Sequence, residues 1–320
     1  MTSTLDRRSL LTGLGAAAVG GAAVNALAAP AAAEPSGKGR GDALIGKAAR
    51  DELHVMSFNI RQDRSVDTDP LTRPGEADHW PDRRPILIDL LEREQPTLLG
   101  VQEAKFAQLP AIEEALPHHA MIGYGREGGS KDEYAAIFYD ARRLEVISWD
   151  QRWLSDTPRE IASTGWGNEI TRIMVIARLR DLESGAEFAM INTHFDHQSE
   201  PARVKSAEAL RELLEGDELE GLPTIITGDF NARAHSSEPH AILTDDGTTL
   251  DTWNSTGEKL TKSWGTFPNY KDPVDRAGRI DWVLTTPDIS TTVAAINVSR
   301  SRDGAFPSDH TPVQALVTLP

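Results

Sequence analysis

Short apolar runs separated by polar, Gly-containing or Pro-containing segments dominate the chain from residue 51 onward. Runs of this length, several alternating with a period of two, predict β-strands. The predicted strands span residues 53–60, 97–102, 135–139, 144–149, 170–179, 187–194, 223–228, 280–285, 292–298 and 312–318. Many strands with few helices between them favour stacked sheets covered by helices, an α/β (α+β) architecture.

Two segments place their apolar residues at helical spacing instead. Residues 81–94 carry a stripe that includes Leu90, and residues 200–215 carry one that includes Ala207. The second segment has Pro201 at a position that the first turn of a helix tolerates. No repeat or second linker interrupts the chain after residue 50, so one domain over residues 51–320 is the simplest division.

The N-terminus has the order of an export signal. Arg7 and Arg8 precede an Ala-rich and Gly-rich apolar run over residues 10–29, and the arginine pair resembles a twin-arginine signal. Residues 1–33 are therefore expected to be cleaved after export by the twin-arginine machinery, and residues 34–50 to form a linker. The mature chain would then lie in the extracellular, periplasmic or cell-wall space. A membrane anchor is the alternative, but the run is weakly apolar for one.

Composition narrows the chemistry. The chain has 33 Lys and Arg against 49 Asp and Glu, a formal charge of -16, and no cysteine. A disulfide framework, a thiolate zinc site and a cysteine nucleophile are thereby excluded, so any metal must bind oxygen or imidazole. The acidic balance argues against a broad phosphate-binding surface, although a metal-filled cleft can hold a phosphate on an acidic protein.

Several predicted strands end or begin in polar side chains, which is unusual for purely structural strands. These side chains are Asn59, Gln102, Glu103, Asn192, His194, Asp229, Asn231, Asp281, Asp309 and His310. If the strand ends converge, they form a cleft rich in oxygen ligands. Such a cleft suits Mg²⁺ or Mn²⁺, and a phosphate would complete the coordination shell.

The order of these motifs resembles the endonuclease/exonuclease/phosphatase superfamily of deoxyribonuclease I-like phosphoesterases, and within it the secreted bacterial members. The motifs are Phe58-Asn59-Ile60-Arg61, Gln102-Glu103, Asn192-Thr193-His194-Phe195-Asp196, Gly228-Asp229-Phe230-Asn231, Arg279-Ile280-Asp281-Trp282 and Ser308-Asp309-His310. The resemblance implies a four-layered sandwich of two packed, mainly antiparallel sheets flanked by helices. It also implies metal-dependent hydrolysis of phosphate esters, most simply of phosphodiesters.

The resemblance assigns the metal to three residues. Glu103 would be the principal ligand of Mg²⁺ or Mn²⁺, helped by Asn59 and Asp309. A charged carboxylate is a favourable ligand for such an ion in a wet cleft.

The same resemblance assigns the catalytic roles. Asp229 would orient and deprotonate the attacking water, and Asn231 would hold that water or the phosphate. His310, oriented by Asp281, would donate to a phosphate oxygen. His194 would be a second phosphate contact or the acid for the leaving oxygen.

Four further residues are candidates for substrate binding. Arg61 stands where some nucleases of the superfamily have an acidic residue, and it could contact phosphate. Asn192 shares a strand face with His194, and Trp264 belongs to a loop expected near the cleft. Tyr134 could face substrate or simply pack.

The substrate class is less determined than the reaction class. Few Lys/Arg clusters and no exposed apolar hairpin are evident, so a phosphorylated glycan or a small diester is favoured over nucleic acid or phospholipid. Two other classes stay open: a pseudoenzyme that binds phosphorylated ligands, and a glycoside hydrolase using carboxylates such as Glu103 and Asp229. No stable protein partner is expected.

Overall fold

Two β-sheets packed face to face form the centre of the protein in the computed structural model, which describes residues 42–66 and 70–320. The strands are β1 (Leu53–Asn59), β2 (Leu98–Gln102), β3 (His119–Ile122), β4 (Ile137–Asp140), β5 (Leu144–Trp153), β6 (Ile173–Asp181), β7 (Glu187–His194), β8 (Thr224–Asp229), β9 (Leu250–Asp251), β10 (Glu258–Lys259), β11 (Asp281–Thr285), β12 (Ser290–Ile296) and β13 (Val313–Thr318). Within these residues, one sheet has the order β10-β12-β13-β1-β2-β4-β3 and the other β5-β6-β7-β8-β11-β9. The predicted signal lies outside the described residues, as does the predicted linker up to residue 41.

Helices cover the outer face of each sheet. They are α1 (Trp80–Glu94), α2 (Leu109–Ala115), α3 (Glu200–Glu215), α4 (Glu238–Thr244) and α5 (Thr252–Ser255), with short 3₁₀ turns at Phe106–Gln108 and Asp217–Leu219. The Ser199 side chain caps α3 by accepting from the Ala202 N–H at 3.2 Å. In the part of the chain that the structure describes, every helix is too short or too polar to span a lipid bilayer.

The alternation of side chains along each strand explains how the sheets and helices form layers. In β1, Val55 packs between the two sheets, whereas Phe58 packs outward in the cluster that includes Leu90 of α1. On the other sheet, Ile191 of β7 packs outward in the cluster that includes Leu210 of α3. The four-layered sandwich predicted from the resemblance is therefore confirmed.

The predicted strands and both predicted helices are present, but several short elements were not predicted. These are β3, β9, β10, α2, α4 and α5. The strands β9 and β10 are two residues each, too short to show alternation. Their pairing depends on neighbouring strands that only the fold provides.

Strand direction brings the chemistry to one edge. The pairs β1–β2 and β7–β8 are parallel, and Asn59 at the end of β1 donates to Asp229 at the end of β8 across the two sheets. The ends of all four strands therefore lie on the same side of the sandwich. Strands β11 and β13 run antiparallel to β8 and β1, and they therefore begin at that side. The polar residues at these ends and beginnings therefore converge, which is the condition on which the predicted cleft depends.

Residues 44–46, which belong to the predicted linker, are hydrogen-bonded to the folded domain. Their backbone N–H groups donate to the Glu94 carboxylate at 2.8–3.2 Å. The amides of Asn297 and Gln314 donate to the same carboxylate. Burial disfavours the charge on Glu94, but these donors hold its pKa below the ordinary value.

Asn192 cross-links the two sheets and does not line the cleft. Its Nδ2 donates to the backbone oxygens of Val101 and Ala136 at 2.9 and 3.0 Å. Its Oδ1 accepts from Gln102 Nε2 at 2.7 Å and from Thr227 Oγ1 at 2.9 Å. The side chain is fully buried. The predicted substrate contact at Asn192 therefore gives way to an inter-sheet role, because every polar atom of the amide is already bonded.

Gly100 provides the space for this cross-link. A Cβ at Gly100 would lie 2.1 Å from Thr227 Oγ1 and 2.5 Å from Asn192 Oδ1. A side chain at this position would displace the cross-link, so the close approach of the sheets requires glycine.

Replacing Asn192 with Leu should lower the free energy of unfolding by about 3 kcal/mol or more, because four buried partners lose their bonds. Urea denaturation measures the change, and Asn254→Leu on the exposed surface is the control. If Asn192→Leu instead leaves the stability unchanged but abolishes activity, the substrate contact predicted for Asn192 would be supported.

Candidate active site

A cleft of about 440 Å³ opens at the edge where the strand ends converge. Its lining residues are Arg61, Gln62, Glu103, Arg126, Glu133, Ile170, Arg172, His194, His197, Asp229, Asn231, Phe267, Ile280, Asp309 and His310. Three of the non-glycine residues that line it, Arg61, Glu103 and Asn231, have left-handed backbone conformations with φ between 47° and 60°. Such conformations cost energy and are found where a site needs a particular side-chain direction.

Asn59 bridges two carboxylates across the sheets. Its Nδ2 donates to Glu103 Oε1 and to Asp229 Oδ2, both at 2.9 Å, while its Oδ1 accepts from the Arg61 N–H. Asn59 therefore positions the carboxylates with its nitrogen. The metal-ligand role predicted for it would require the amide to turn.

Asp229 lies at the centre of the site and is fully buried. Its Oδ1 accepts from the Asn231 N–H at 2.9 Å, and its Oδ2 lies 3.6 Å from His194 Nε2 and 3.7 Å from His310 Nε2. Burial and the charge of Asp281 raise the pKa of Asp229 to about 7. A carboxyl group with this pKa is matched to proton transfer near neutral pH.

Arg61 organises the acidic side of the cleft. Its Nη1 lies 3.4 Å from Glu103 Oε2, and its Nε lies 3.6 Å from Asp309 Oδ2. Burial disfavours the Glu103 charge, but His310 and Arg61 outweigh burial and lower the pKa of Glu103. The pKa of Asp309 is raised, chiefly by burial.

The donor set fits a hard divalent cation. Single ligand atoms of Glu103, His194 and Asp229 lie within 4.8 Å of one another. The raised pKa values of Asp229 and Asp309 indicate carboxylates short of compensating positive charge, which a cation would supply. Glu103 and Asp309, with Asp229 beside them, are the residues that would hold it.

His310 is paired with a carboxylate. Its Nδ1 lies 3.0 Å from Asp281 Oδ2, and Asp281 is paired in register with Asp229 across β11 and β8. Burial opposes the charge on His310, but Asp281 and Asp229 outweigh it and raise the pKa of His310 to about 10. This pKa favours the charged form of the imidazole at neutral pH, in which both ring nitrogens are donors.

His194 is paired with a cation instead. Arg172 Nη1 donates to His194 Nδ1 at 2.9 Å, and Arg172 Nη2 donates to His197 Nδ1 at 2.8 Å. Burial, followed by the charges of Arg172 and Arg126, lowers the pKa of His194 well below its usual value. A neutral His194 fits the phosphate contact predicted for it better than the role of acid.

Sequence reasoning missed Arg172, His197, Arg126 and Glu133. Arg172 enters the site because β6 is antiparallel to β7 with Met174 opposite Thr193, a register that the structure shows and the sequence alone does not. The residue that precedes β6 must then lie beside the end of β7. Arg126 and Glu133 form a two-pronged ion pair at 2.7 and 3.1 Å, which loop residues alone do not reveal in the sequence.

Two predicted substrate contacts lie elsewhere. Tyr134 is buried in the hydrophobic cluster under α1 and α2, where its hydroxyl donates to the Gly129 oxygen. Trp264 packs against the cluster formed by Trp253, Ala294 and Ile296. The residue of the Trp264 loop that lines the cleft is Phe267, whose ring centroid lies 4.7 Å from that of His310.

Comparisons with known proteins agree with this geometry. The model of the Endonuclease/Exonuclease/phosphatase family matches residues 56–310. A mannosyl-6-phosphatase from Bacteroides thetaiotaomicron superposes with a TM-score of 0.74 at 29% identity, over 83% of this chain and 100% of that one. An endonuclease/exonuclease/phosphatase family protein from the same organism superposes with a TM-score of 0.75 at 30% identity, over 84% of this chain and 98% of that one. An uncharacterized protein of Acanthamoeba polyphaga mimivirus is 30% identical over 211 residues, 63% of this chain and 74% of that protein.

The His310–Asp281 pair predicts a measurable titration in the metal-free protein. The His310 ring resonance in NMR spectra should titrate near pH 10, and Asp281→Asn should move it into the neutral range because the compensating charge is lost. Because the folded-state pKa is raised, the pair stabilises the fold below pH 6.5 and loses this contribution as the pH rises through 10. Asp288→Asn, on the exposed surface, should leave the titration unchanged. A neutral His310 in the wild type at pH 8 would contradict the assignment.

Proposed function

Because this chain belongs to the endonuclease/exonuclease/phosphatase family, whose members are phosphoesterases, we propose that it hydrolyses phosphate esters with a bound divalent cation. The proposal rests on the environment of the Asp229 carboxylate. A buried carboxylate of raised pKa lies between two imidazoles, and Glu103 and Asp309 lie in the same cleft. This arrangement provides a base, phosphate donors and ligands for a cation together.

The chain's own residues perform distinct tasks in this proposal. Asp229 orients the attacking water and accepts its proton, while the left-handed Asn231 aims its amide at the water or the phosphate. His310 donates a charged hydrogen bond to a phosphate oxygen, and His194 donates a neutral one. These donors stabilise charge on the phosphate oxygens in the transition state.

The cation, Mg²⁺ or Mn²⁺, would be held by Glu103 and Asp309. When bound, it supplies positive charge next to the phosphate and lowers the pKa of bound water. Arg61 lies against both carboxylates and keeps them directed into the cleft.

For the substrate we propose a phosphorylated sugar or glycan. The likeness to a mannosyl-6-phosphatase over most of both chains supports this choice. The cleft lining agrees with it, because the exposed His197 offers a polar group beside His194 and the Arg126–Glu133 ion pair adds a polar wall. Hydroxyl-rich leaving groups are bound by such side chains, whereas a duplex would require an extended basic surface.

The test of the reaction class is hydrolysis of p-nitrophenyl phosphate, its bis ester and mannose 6-phosphate with Mg²⁺ or Mn²⁺. Asp229→Asn should lower kcat about 10²- to 10⁴-fold, because a general base is lost. Glu103→Gln should weaken binding of Mn²⁺ in calorimetry and raise the Mn²⁺ concentration required for activity. Glu160→Gln, which is exposed and not among the residues that line the cleft, is the matched control.

The outcomes separate the alternatives. Release of phosphate that excess chelator abolishes supports the proposal, and the ratio of monoester to diester turnover ranks the substrates. Cleavage of glycosides that survives the chelator would favour the carboxylate-pair hydrolase. Binding of phosphate esters without turnover would favour the pseudoenzyme.

We also propose that the protein is exported through its N-terminal segment, on the arginine pair and the apolar run of the sequence. Replacing Arg7 and Arg8 together with Lys should retain the full-length chain inside a host that has the twin-arginine machinery. Fractionation of those cells measures the result. Unaffected export would refute the twin-arginine route, and a chain that stays uncleaved in the membrane fraction would favour the anchor.

A further inference from the structure

Arg172 contacts two imidazoles of the cleft at once. It is 4% exposed, and its two terminal nitrogens each donate to the Nδ1 of a different histidine, His194 at 2.9 Å and His197 at 2.8 Å. Its third nitrogen, Nε, is buried without a hydrogen-bond partner and lies 3.6 Å from Asp196 Oδ2. The guanidinium is therefore directed at the histidines rather than bonded to a carboxylate.

The guanidinium contacts favour the same tautomer in both rings. A guanidinium has only donors, so a nitrogen that it contacts must present a lone pair. The Nδ1 atoms of His194 and His197 are then unprotonated. In each neutral ring the single proton lies on Nε2.

The carboxylate beside Nδ1 of His194 does not compete with Arg172. Glu133 Oε2 is 4.0 Å from His194 Nδ1, beyond hydrogen-bond distance. Both oxygens of Glu133 are occupied by Arg126. The Arg126–Glu133 pair thus leaves Nδ1 of His194 to Arg172.

The proton on Nε2 of His194 lacks a good acceptor among the described residues. Asn231 Nδ2 lies 3.1 Å away and donates one hydrogen to the Phe195 oxygen at 3.1 Å, so its second hydrogen faces Nε2 and competes with Arg172 for the lone pair of the ring. The Arg172 contact is shorter, at 2.9 Å, and charge-assisted, which favours the proton on Nε2. Asp229 Oδ2 is 3.6 Å away. His197 is exposed and lines the same cleft, so both N–H groups are available to oxygens of a ligand.

We propose that Arg172 is a positioning residue that holds His194 and His197 in the Nε2–H tautomer, so that both rings donate to oxygens of one phosphate ester. His194 serves the phosphate, and His197 serves an oxygen of the group esterified to it. The tautomers follow from the protein alone, whereas the identity of the acceptor rests on the proposed function.

The tautomers are measured directly in the metal-free protein. Long-range ¹H–¹⁵N correlation spectra of ¹⁵N-histidine-labelled protein at neutral pH distinguish a protonated from an unprotonated ring nitrogen. His194→Gln and His197→Gln assign the signals, and the exposed His118 is an internal reference. The expected result is an unprotonated Nδ1 in both rings. A protonated Nδ1 in wild-type His194 overturns the proposal without the need of any variant at residue 172.

Variants of Arg172 test the cause. In Arg172→Met, His197 should relax to a mixture of tautomers, whereas Arg172→Lys, with one ammonium group, should retain the Nε2–H form in one ring at most. Arg178→Met is the matched control, since Arg178 lies in β6, the strand that Arg172 immediately precedes, and has Glu187 and Glu220 as partners. If the tautomers of Arg172→Met match those of the wild type, the proposal is wrong.

Kinetics then test the acceptor. His197→Leu should raise KM for mannose 6-phosphate about 10-fold while changing kcat less, and it should have little effect on methyl phosphate, whose leaving group offers no further oxygen. Equal effects on both substrates would overturn the role of His197. A protein with the expected tautomers but no phosphate-ester hydrolysis would leave the positioning role of Arg172 intact and refute the proposed function.

Discussion

The burial of Asp229 is the constraint on which the rest of the site depends. A carboxylate removed from water is costly unless hydrogen bonds and positive charge surround it. Three residues from separate segments lie against this carboxylate. They are Asn59 at the end of β1, Asn231 in the loop after β8, and His310 in the segment before β13. The two sheets must therefore meet at this edge with their strand ends aligned. The hydrogen bonds and the positive charge of His310 only partly offset the cost of burying the Asp229 charge, so the pKa of Asp229 is raised.

The two imidazoles beside Asp229 show how a partner determines the chemistry of a ring. His310 contacts a carboxylate and is held charged, whereas His194 contacts a guanidinium and is held neutral. In the proposed reaction, the two rings would be one charged and one neutral donor to the same phosphate. A cation bound by Glu103 and Asp309 would add to the charge of His310, and a second charged imidazole would have to overcome the repulsion of both.

Rigidity below the cleft supports these positions. The amide of Asn192 joins backbone and side-chain groups of both sheets, and Gly100 allows the sheets to approach closely enough for it. Above this cross-link, the left-handed residues Arg61 and Glu103 turn the chain away from β1 and β2. Such strained conformations persist only where the surrounding structure holds them. The packing between the sheets therefore holds the strained residues at the strand ends in place.

The amino-acid sequence by itself determined the strands, the main helices and the set of acidic, amide and imidazole groups at the strand ends, because alternation and polarity are local properties of a chain. The resemblance of the motifs to a known family implied that Asp281 orients His310, and the structure places the two side chains 3.0 Å apart. Only the tertiary structure decided that Asn192 and Tyr134 are interior and that Arg172 lies behind His194. Those contacts join segments far apart in the chain, and a side chain at a strand end can point into a cleft or between sheets with the same local sequence. Distances of a few ångströms between such segments, which no local pattern encodes, decide which groups react and which only hold the fold.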